Sequence, residues 1–138
     1  MRDQTAKYLS AVHAAAFRLT RGRVGRRLVN NDMLLLTTKG RKSSRPHTVP
    51  LLYLRDIGRL VVIASWGGRS NNPDWYENLI ASSGATVELP GGEHRDVTAR
   101  TATPLERAEW WPRIIGAYDG YRAYQTRTER EIPVVFLA

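Results

Sequence analysis

The chain has 138 residues and a mass of 15.6 kDa, the size of one domain around one core. At 42% hydrophobic and 25% charged residues it has an ordinary globular balance, which argues against disorder, and without cysteine it has no disulfide, zinc-thiolate site or thiol nucleophile. The net charge of +8 is uneven: residues 1–45 hold eleven Lys/Arg against Asp3 and Asp32, while residues 46–138 hold ten Arg against eleven acids. Such asymmetry suggests contact with a polyanion, whether nucleic acid, anionic lipid or a phosphorylated ligand. The excess of eighteen Arg over three Lys is also what a compositional bias would give. No apolar run approaches the roughly 20 residues of a membrane-spanning helix, and the N-terminus lacks the apolar core of a signal peptide. A cytoplasmic setting is compatible with these features.

In chain order, Asp3 to Thr20 reads as an alanine-rich helix with Leu9, Val12, Ala16 and Leu19 near one face. Arg18, Arg21, Arg23, Arg26 and Arg27 follow. Residues 1–27 thus form a basic helix and arm, suited either to an anionic membrane surface or to packing on the domain with a solvated basic end. Met33 to Thr38 reads as a buried strand and His47 to Tyr53 as another. The Lys39–Arg45 loop between them carries four cations in seven positions: Lys39, Arg41, Lys42 and Arg45. Arg55-Asp56-Ile57-Gly58 supplies turn residues, and Arg59 to Ser65 is a strand apolar enough to be covered on both faces. After the breaker-rich Trp66–Asn72, a helix runs to about Ala81, with Asn72 as candidate N-cap and Pro73 at its first position. Ala85–Leu89 and His94–Ala102 alternate as half-buried strands around Pro90-Gly91-Gly92. Thr103, Pro104 and Glu106 predict a capping box. The helix they open carries Trp110, Trp111, Ile114 and Ile115 and ends near Asp119-Gly120. A tyrosine-rich segment and a last strand, Ile132 to Leu137, complete the chain. About six strands with two or three helices spell an α+β domain, a β-barrel with peripheral helices.

His13, His47 and His94 lie far apart, without a metal-binding spacing, so no metal site is expected. Ser43, Ser44 and His47 are near one another but lack a nucleophile elbow. The cationic loop is the stronger lead. Arg grips phosphate or carboxylate bidentately, Lys adds a point charge, and Ser hydroxyls with loop N–H groups complete an anion nest. It lacks P-loop spacing, so ATP and GTP are not indicated. The alternative is a solvated surface loop. Ser65-Trp66-Gly67-Gly68, followed by Asn72-Pro73-Asp74-Trp75-Tyr76, lets a planar ligand approach the backbone under aromatic cover. Tyr118, Tyr121 and Tyr124, spaced by three, form either a core ridge or a hydroxyl-bearing lid.

These stretches carry a resemblance. Leu35-Leu36-Thr37-Thr38-Lys39-Gly40-Arg41-Lys42-Ser43, Pro50-Leu51, Ala64-Ser65-Trp66-Gly67-Gly68 and Asn72-Pro73-Asp74-Trp75-Tyr76-Glu77-Asn78 resemble the deazaflavin-dependent nitroreductase family in collinear order. So do Thr98-Ala99-Arg100, the stretch from Glu106 to Pro112, the three tyrosines and Ile132-Pro133. The resemblance covers roughly residues 20–137. It implies a split β-barrel over residues 28–138 and a hydride transfer from reduced coenzyme F420 to a quinone, nitroaromatic or similar acceptor, in some members at a membrane. It further implies that the cofactor lies against Arg41, Lys42 and Ser43, against His47, Thr48, Val49, Pro50, Leu51 and Leu52, and against Ile63, Ala64, Ser65 and Trp66. A last contact segment is implied at Asp74, Trp75, Tyr76, Glu77 and Asn78. Tyr121 matches the tyrosine that faces cofactor and substrate, and Ser65 a serine near the reacting ring; these two are the candidate catalytic residues. Three positions depart from the pattern: Ser44 where the family usually has glycine, Trp66 where a close relative has lysine, and Leu52 where that relative has tyrosine. They bear on the substrate more than on the cofactor.

Two rivals remain open at this level. A split barrel binding FMN or FAD would use the same loop for its phosphate. A basic nucleic-acid-binding module would use the N-terminal third and show steeply salt-dependent binding. The resemblance favours the enzyme without nucleic acid as a partner.

Overall fold

The computed structural model describes residues 33–138. The expected N-terminal helix and basic arm, with the proposed boundary at residue 27, lie outside the described residues. Seven strands form one antiparallel sheet: β1 Met33–Lys39, β2 Pro46–Leu52, β3 Leu54–Asp56, β4 Arg59–Ile63, β5 Gly84–Glu88, β6 His94–Thr101 and β7 Val134–Leu137. Among the described residues three helices accompany them: α1 Asp74–Ala81, α2 Pro104–Ala117 and α3 Gly120–Thr126. A single 3-10 turn, Trp66–Gly68, follows β4.

The strand order is β2-β1-β5-β6-β7-β4-β3. β2 and β3 therefore lie at opposite margins of the sheet, although only Tyr53 separates them in the chain. The sheet has to curl until its margins meet at that residue, and no ladder joins β2 to β3. This is a split β-barrel. One strand more than expected appears because the stretch after Tyr53 pairs before it turns: Leu54 faces Val61 and Asp56 faces Arg59, with Ile57 and Gly58 at the tip.

Alternation sorts the strands' side chains into two cores. Leu34, Leu36, Leu60, Val62, Val87, Val97, Val135 and Leu137 fill the barrel, and Trp75, Tyr76 and Leu79 of α1 pack against them. Val61, Ile63, Val134 and Phe136 point outward, under Trp110 and Ile114 of α2 and Tyr121 of α3. The apolar β4 is covered on both faces, as its composition predicts. Thr103 caps α2 through a reciprocal capping box with Glu106.

The boundaries differ in two places that matter for the site. Pro73 is extended (φ −67°, ψ 155°) and occupies the cap position, so α1 opens at Asp74 and Asn72 does not cap it. α2 ends at Ala117 rather than near Asp119, because Tyr118 is extended at φ −151°, ψ 103°. The chain then restarts as α3, which brings the tyrosines back over the end of β4.

Candidate functional site

A cavity of about 540 Å³ lies between β2, the end of β4, the Ser65–Gly67 turn, the start of α1 and the tyrosines around α3. His47, Thr48, Val49, Pro50, Leu51 and Leu52 all line it, as do Ile63, Ser65, Trp66, Asp74, Trp75 and Tyr121. Met33, Pro46, Gly67, Pro73, Tyr118 and Tyr124 complete the wall. β2 is a marginal strand, paired with β1 on one side only, so alternate peptide groups on its free edge are open to a ligand.

The remaining candidates surround the cavity without lining it. Ala64 is fully buried in the barrel. Tyr76 packs in the same core and its hydroxyl meets that of Thr101 at 2.9 Å. Glu77 accepts from the Asn72 amide at 3.4 Å. Asn78 is buried and ties β1 to the cationic loop: it donates to Thr38 Oγ1 at 3.0 Å and accepts from the Arg41 backbone N–H (3.1 Å) and Arg41 Nη1 (3.0 Å). Arg41 also donates Nη2 to Asp74 Oδ1 at 3.3 Å and Nη1 to the Asp74 carbonyl at 3.4 Å. Arg41 therefore latches the loop onto α1 beside the cavity. Lys42 and Arg45 are exposed on that loop, and neither has a carboxylate partner among the described residues. Ser43 Oγ accepts from the Arg45 N–H at 3.1 Å and helps to shape the turn. Ser44 adopts φ +61°, the left-handed conformation that glycine takes without cost. That explains why the family pattern has glycine there.

Ser65 and Tyr121 are 8% and 5% exposed. Neither hydroxyl has a hydrogen-bond partner among the described residues, and no buried side-chain polar atom there lacks one. Both hydroxyls therefore open into the cavity they line. The Tyr121 ring packs edge-on against Tyr118, with centroids 5.2 Å apart, and against Tyr124 at 5.9 Å. Burial, then the neighbouring Tyr124 and Tyr118, push the Tyr121 pKa well above the ordinary phenol value. Tyr118 and Tyr124 share a hydroxyl contact of 3.3 Å, and that bond, followed by burial, raises the Tyr124 pKa as well. All this favours a neutral, proton-bearing Tyr121.

The turn after β4 is built on unusual backbone. Trp66 has φ +44°, followed by Gly67 at +65° and Gly68 at +81°. A Cβ on Gly68 would stand 2.4 Å from the Tyr124 carbonyl oxygen, so the turn and α3 touch at a distance only glycine permits. Arg69 stacks over the Trp66 ring at 4.7 Å.

Sequence reasoning missed Arg130 and Gln125. Arg130 donates to the carbonyls of Ala64, Ser65 and Arg69 and to Asn72 Oδ1. Gln125 accepts from Arg107 Nη2 (2.8 Å) and the Ile132 N–H (3.0 Å) and donates to the Arg130 carbonyl (2.8 Å). An Arg between two Glu residues looks like surface in one dimension; its partners lie about sixty residues away. Among the described residues no three His, Asp or Glu side chains are placed to hold a metal ion. No described helix is long and apolar enough to cross a membrane.

The family model described as F420H(2)-dependent quinone reductase matches residues 9–138. A Mycobacterium tuberculosis protein named putative F420H(2)-dependent quinone reductase is 40% identical over 104 residues, covering 75% of this chain and 87% of the relative. A second protein of that organism, named F420H(2)-dependent quinone reductase, is 38% identical over 134 residues, covering 94% of this chain and 89% of the relative. The solved structure of an F420-H2 dependent reductase superposes with a TM-score of 0.69 at 36% identity, covering 77% of this chain and 93% of that one. A match of this extent, on the fold and cavity just described, leads to one conclusion: the chain belongs to the F420H(2)-dependent quinone reductase family.

Proposed function

We propose that the chain is an F420H2-dependent oxidoreductase that reduces quinone-type acceptors, with the deazaflavin held in the cavity between β2 and the tyrosines. One observation carries this reading. The unpartnered hydroxyls of two buried residues, Ser65 and Tyr121, face a cavity walled by an apolar strand margin and bordered by a cationic loop. The residues present fit the group. Val49, Pro50, Leu51, Leu52 and Trp75 suit the faces of a planar ring, and peptide groups on the free edge of β2 suit its polar rim. Lys42 and Arg45 suit the phosphodiester and the glutamate tail.

When bound, the reduced deazaflavin supplies a hydride from ring carbon, which with one proton converts a quinone to a hydroquinone. The chain's own residues orient and shield. β2 and Trp75 would hold one face of the ring, the Tyr118–Tyr121–Tyr124 cluster would help to shield it from water, and Arg41 keeps the cationic loop against α1. Tyr121 remains protonated at any ordinary pH, so it serves as a hydrogen-bond or proton donor to an oxygen that gains charge, never as a base. Ser65, which lines the same cavity, is a second donor.

Residues 1–27, with their basic arginines, suit peripheral contact with an anionic membrane where a lipid-soluble quinone is met, on the cytoplasmic side. Co-sedimentation with anionic liposomes compares the intact chain with one lacking residues 1–27; equal partitioning contradicts the membrane contact. The reductase reading is tested by following F420H2 oxidation by a quinone. Saturable turnover is expected, and none with any quinone or nitroaromatic acceptor contradicts it.

A further inference from the structure

Arg130 has a coordination that the cavity's lining does not explain. Its Nη1 donates to the Ala64 carbonyl at 3.2 Å and to Asn72 Oδ1 at 2.8 Å; Nη2 donates to the Ser65 carbonyl at 2.8 Å and Nε to the Arg69 carbonyl at 2.9 Å. No described carboxylate pairs with it. A half-buried guanidinium satisfied by neutral oxygens keeps its full positive charge.

The carbonyls it grips fix the direction of the opposite ends of the same peptides. Each peptide is planar and trans, so its N–H points away from its C=O, and no described peptide is cis. With the Ala64 and Ser65 carbonyls turned toward Arg130, the Ser65 and Trp66 N–H groups point away from it. Arg130 does not line the cavity, whereas Ser65 and Trp66 do. Neither N–H has a partner among the described residues. Ser65 is right-handed at φ −78°, ψ −40°, and Trp66 left-handed at φ +44°, a succession that turns consecutive N–H groups to one side. The Ser65 hydroxyl, without a partner on a buried residue, opens into the same cavity. A tryptophan held left-handed is strained backbone, and the Arg130 contacts help to hold it there.

We propose that Arg130 is a positioning residue for the reduction: it locks the Ser65 and Trp66 peptides so that their N–H groups, with the Ser65 hydroxyl, meet the acceptor oxygen that gains negative charge. This rests on the reductase reading and deepens it. Two electrons and one hydrogen enter the acceptor together, the negative charge falls on that oxygen, and a proton, passed by a donor such as Tyr121 and replaced from solvent, then neutralises it. The donors are set before the charge appears, and the uncompensated guanidinium behind them strengthens the peptide dipoles. Through the Gln125 contact with its own carbonyl, Arg130 is also tied to α3, which carries Tyr121.

The test compares wild type with Arg130→Lys, Arg130→Gln and Asn72→Ala, measuring kcat and KM for a quinone, F420 affinity by fluorescence quenching, and melting temperature. Losing one preorganised donor typically lowers kcat by about 100-fold or more. Arg130→Gln should therefore lose roughly that much, Arg130→Lys, which keeps the charge, nearer tenfold, and Asn72→Ala a few-fold. In each, F420 affinity and quinone KM should stay within about twofold of wild type. If Arg130→Gln fails to fold, the Lys and Asn72 variants carry the same ordering. A kcat within twofold of wild type in the folded variants overturns the proposal, as does a loss confined to F420 affinity. A wild-type protein that turns over no acceptor overturns the reductase reading itself, a different outcome from active wild type with indifferent variants.

Discussion

Tyr121 sits between two other tyrosines, and burial as well as both neighbours make its ionisation harder. With its pKa raised, the protonated donor persists through the neutral and mildly alkaline range. The kcat profile should accordingly show no loss assignable to this phenol up to about pH 10, the ordinary tyrosine value. A falling limb centred near pH 8 that disappears in Tyr121→Phe would contradict the assignment. The same substitution should lower kcat by roughly 100-fold while F420 affinity, read by fluorescence, stays unchanged. Ser44 offers a stability test independent of the chemistry. Its φ of +61° is costly for a residue with a Cβ, and glycine relieves that at some entropic cost to the unfolded chain. Ser44→Gly should raise stability by about 0.5–1 kcal/mol in urea unfolding. At this scale much of the cavity's lining was legible. Ser65, Trp66, Asp74, Trp75, Tyr121 and the whole His47–Leu52 stretch meet at one cavity because contiguous motifs carry them. Arg130 was not legible, since nothing in its neighbourhood announces partners some sixty residues earlier in the chain.

Elements were legible where local chemistry sets their ends. Thr103, Pro104 and Glu106 opened α2 as expected because a capping box is satisfied within four residues. Thr103→Ala should cost about 1 kcal/mol of stability, visible as a lower melting temperature. Glu106 gives the pH dependence of the same cap. Its bidentate pairing with Arg100 and its bond to the Thr103 N–H hold its pKa at about 2, below the ordinary 4.5. The folded-state value is depressed, so this contribution is complete above the unfolded pKa near 4.5 and is lost as pH falls toward 2. Glu106→Gln should therefore flatten the acid limb of the stability curve across that window; an unchanged limb would contradict the assignment. Ends set by tertiary contact were harder to read. α2 breaks at Tyr118 because the ring must turn back onto Tyr121 and Tyr124, a contact invisible to helical periodicity. The turn after β4 packs through Gly68 onto the Tyr124 backbone. Gly68→Ala should destabilise by 2 kcal/mol or more, on the order expected for a clash with backbone combined with φ of +81°.

For the whole molecule, the decisive feature is that β2 and β3 are neighbours in the chain and strangers in the sheet. Apolar alternation announces strands, but it does not state the order β2-β1-β5-β6-β7-β4-β3, because partners as far apart in the chain as Leu60 and Leu137 leave no local mark. The open margin that follows from this order makes the cavity, and the cationic loop leaving β1 lies along it. Charge then acts over the whole site: Lys42 and Arg45 stand unpaired among the described residues beside the cavity, so binding of an anionic cofactor should weaken as salt rises. Replacing both with Ala should remove most of that salt dependence. The measurement that tests the central claim most directly is a fluorescence titration of the purified protein with F420, FMN and an oligonucleotide under one buffer. Saturable one-to-one binding of F420, tighter than FMN and weakened by the Lys42 and Arg45 substitutions, is the predicted result; FMN binding as tightly, or binding of the oligonucleotide alone, would contradict it.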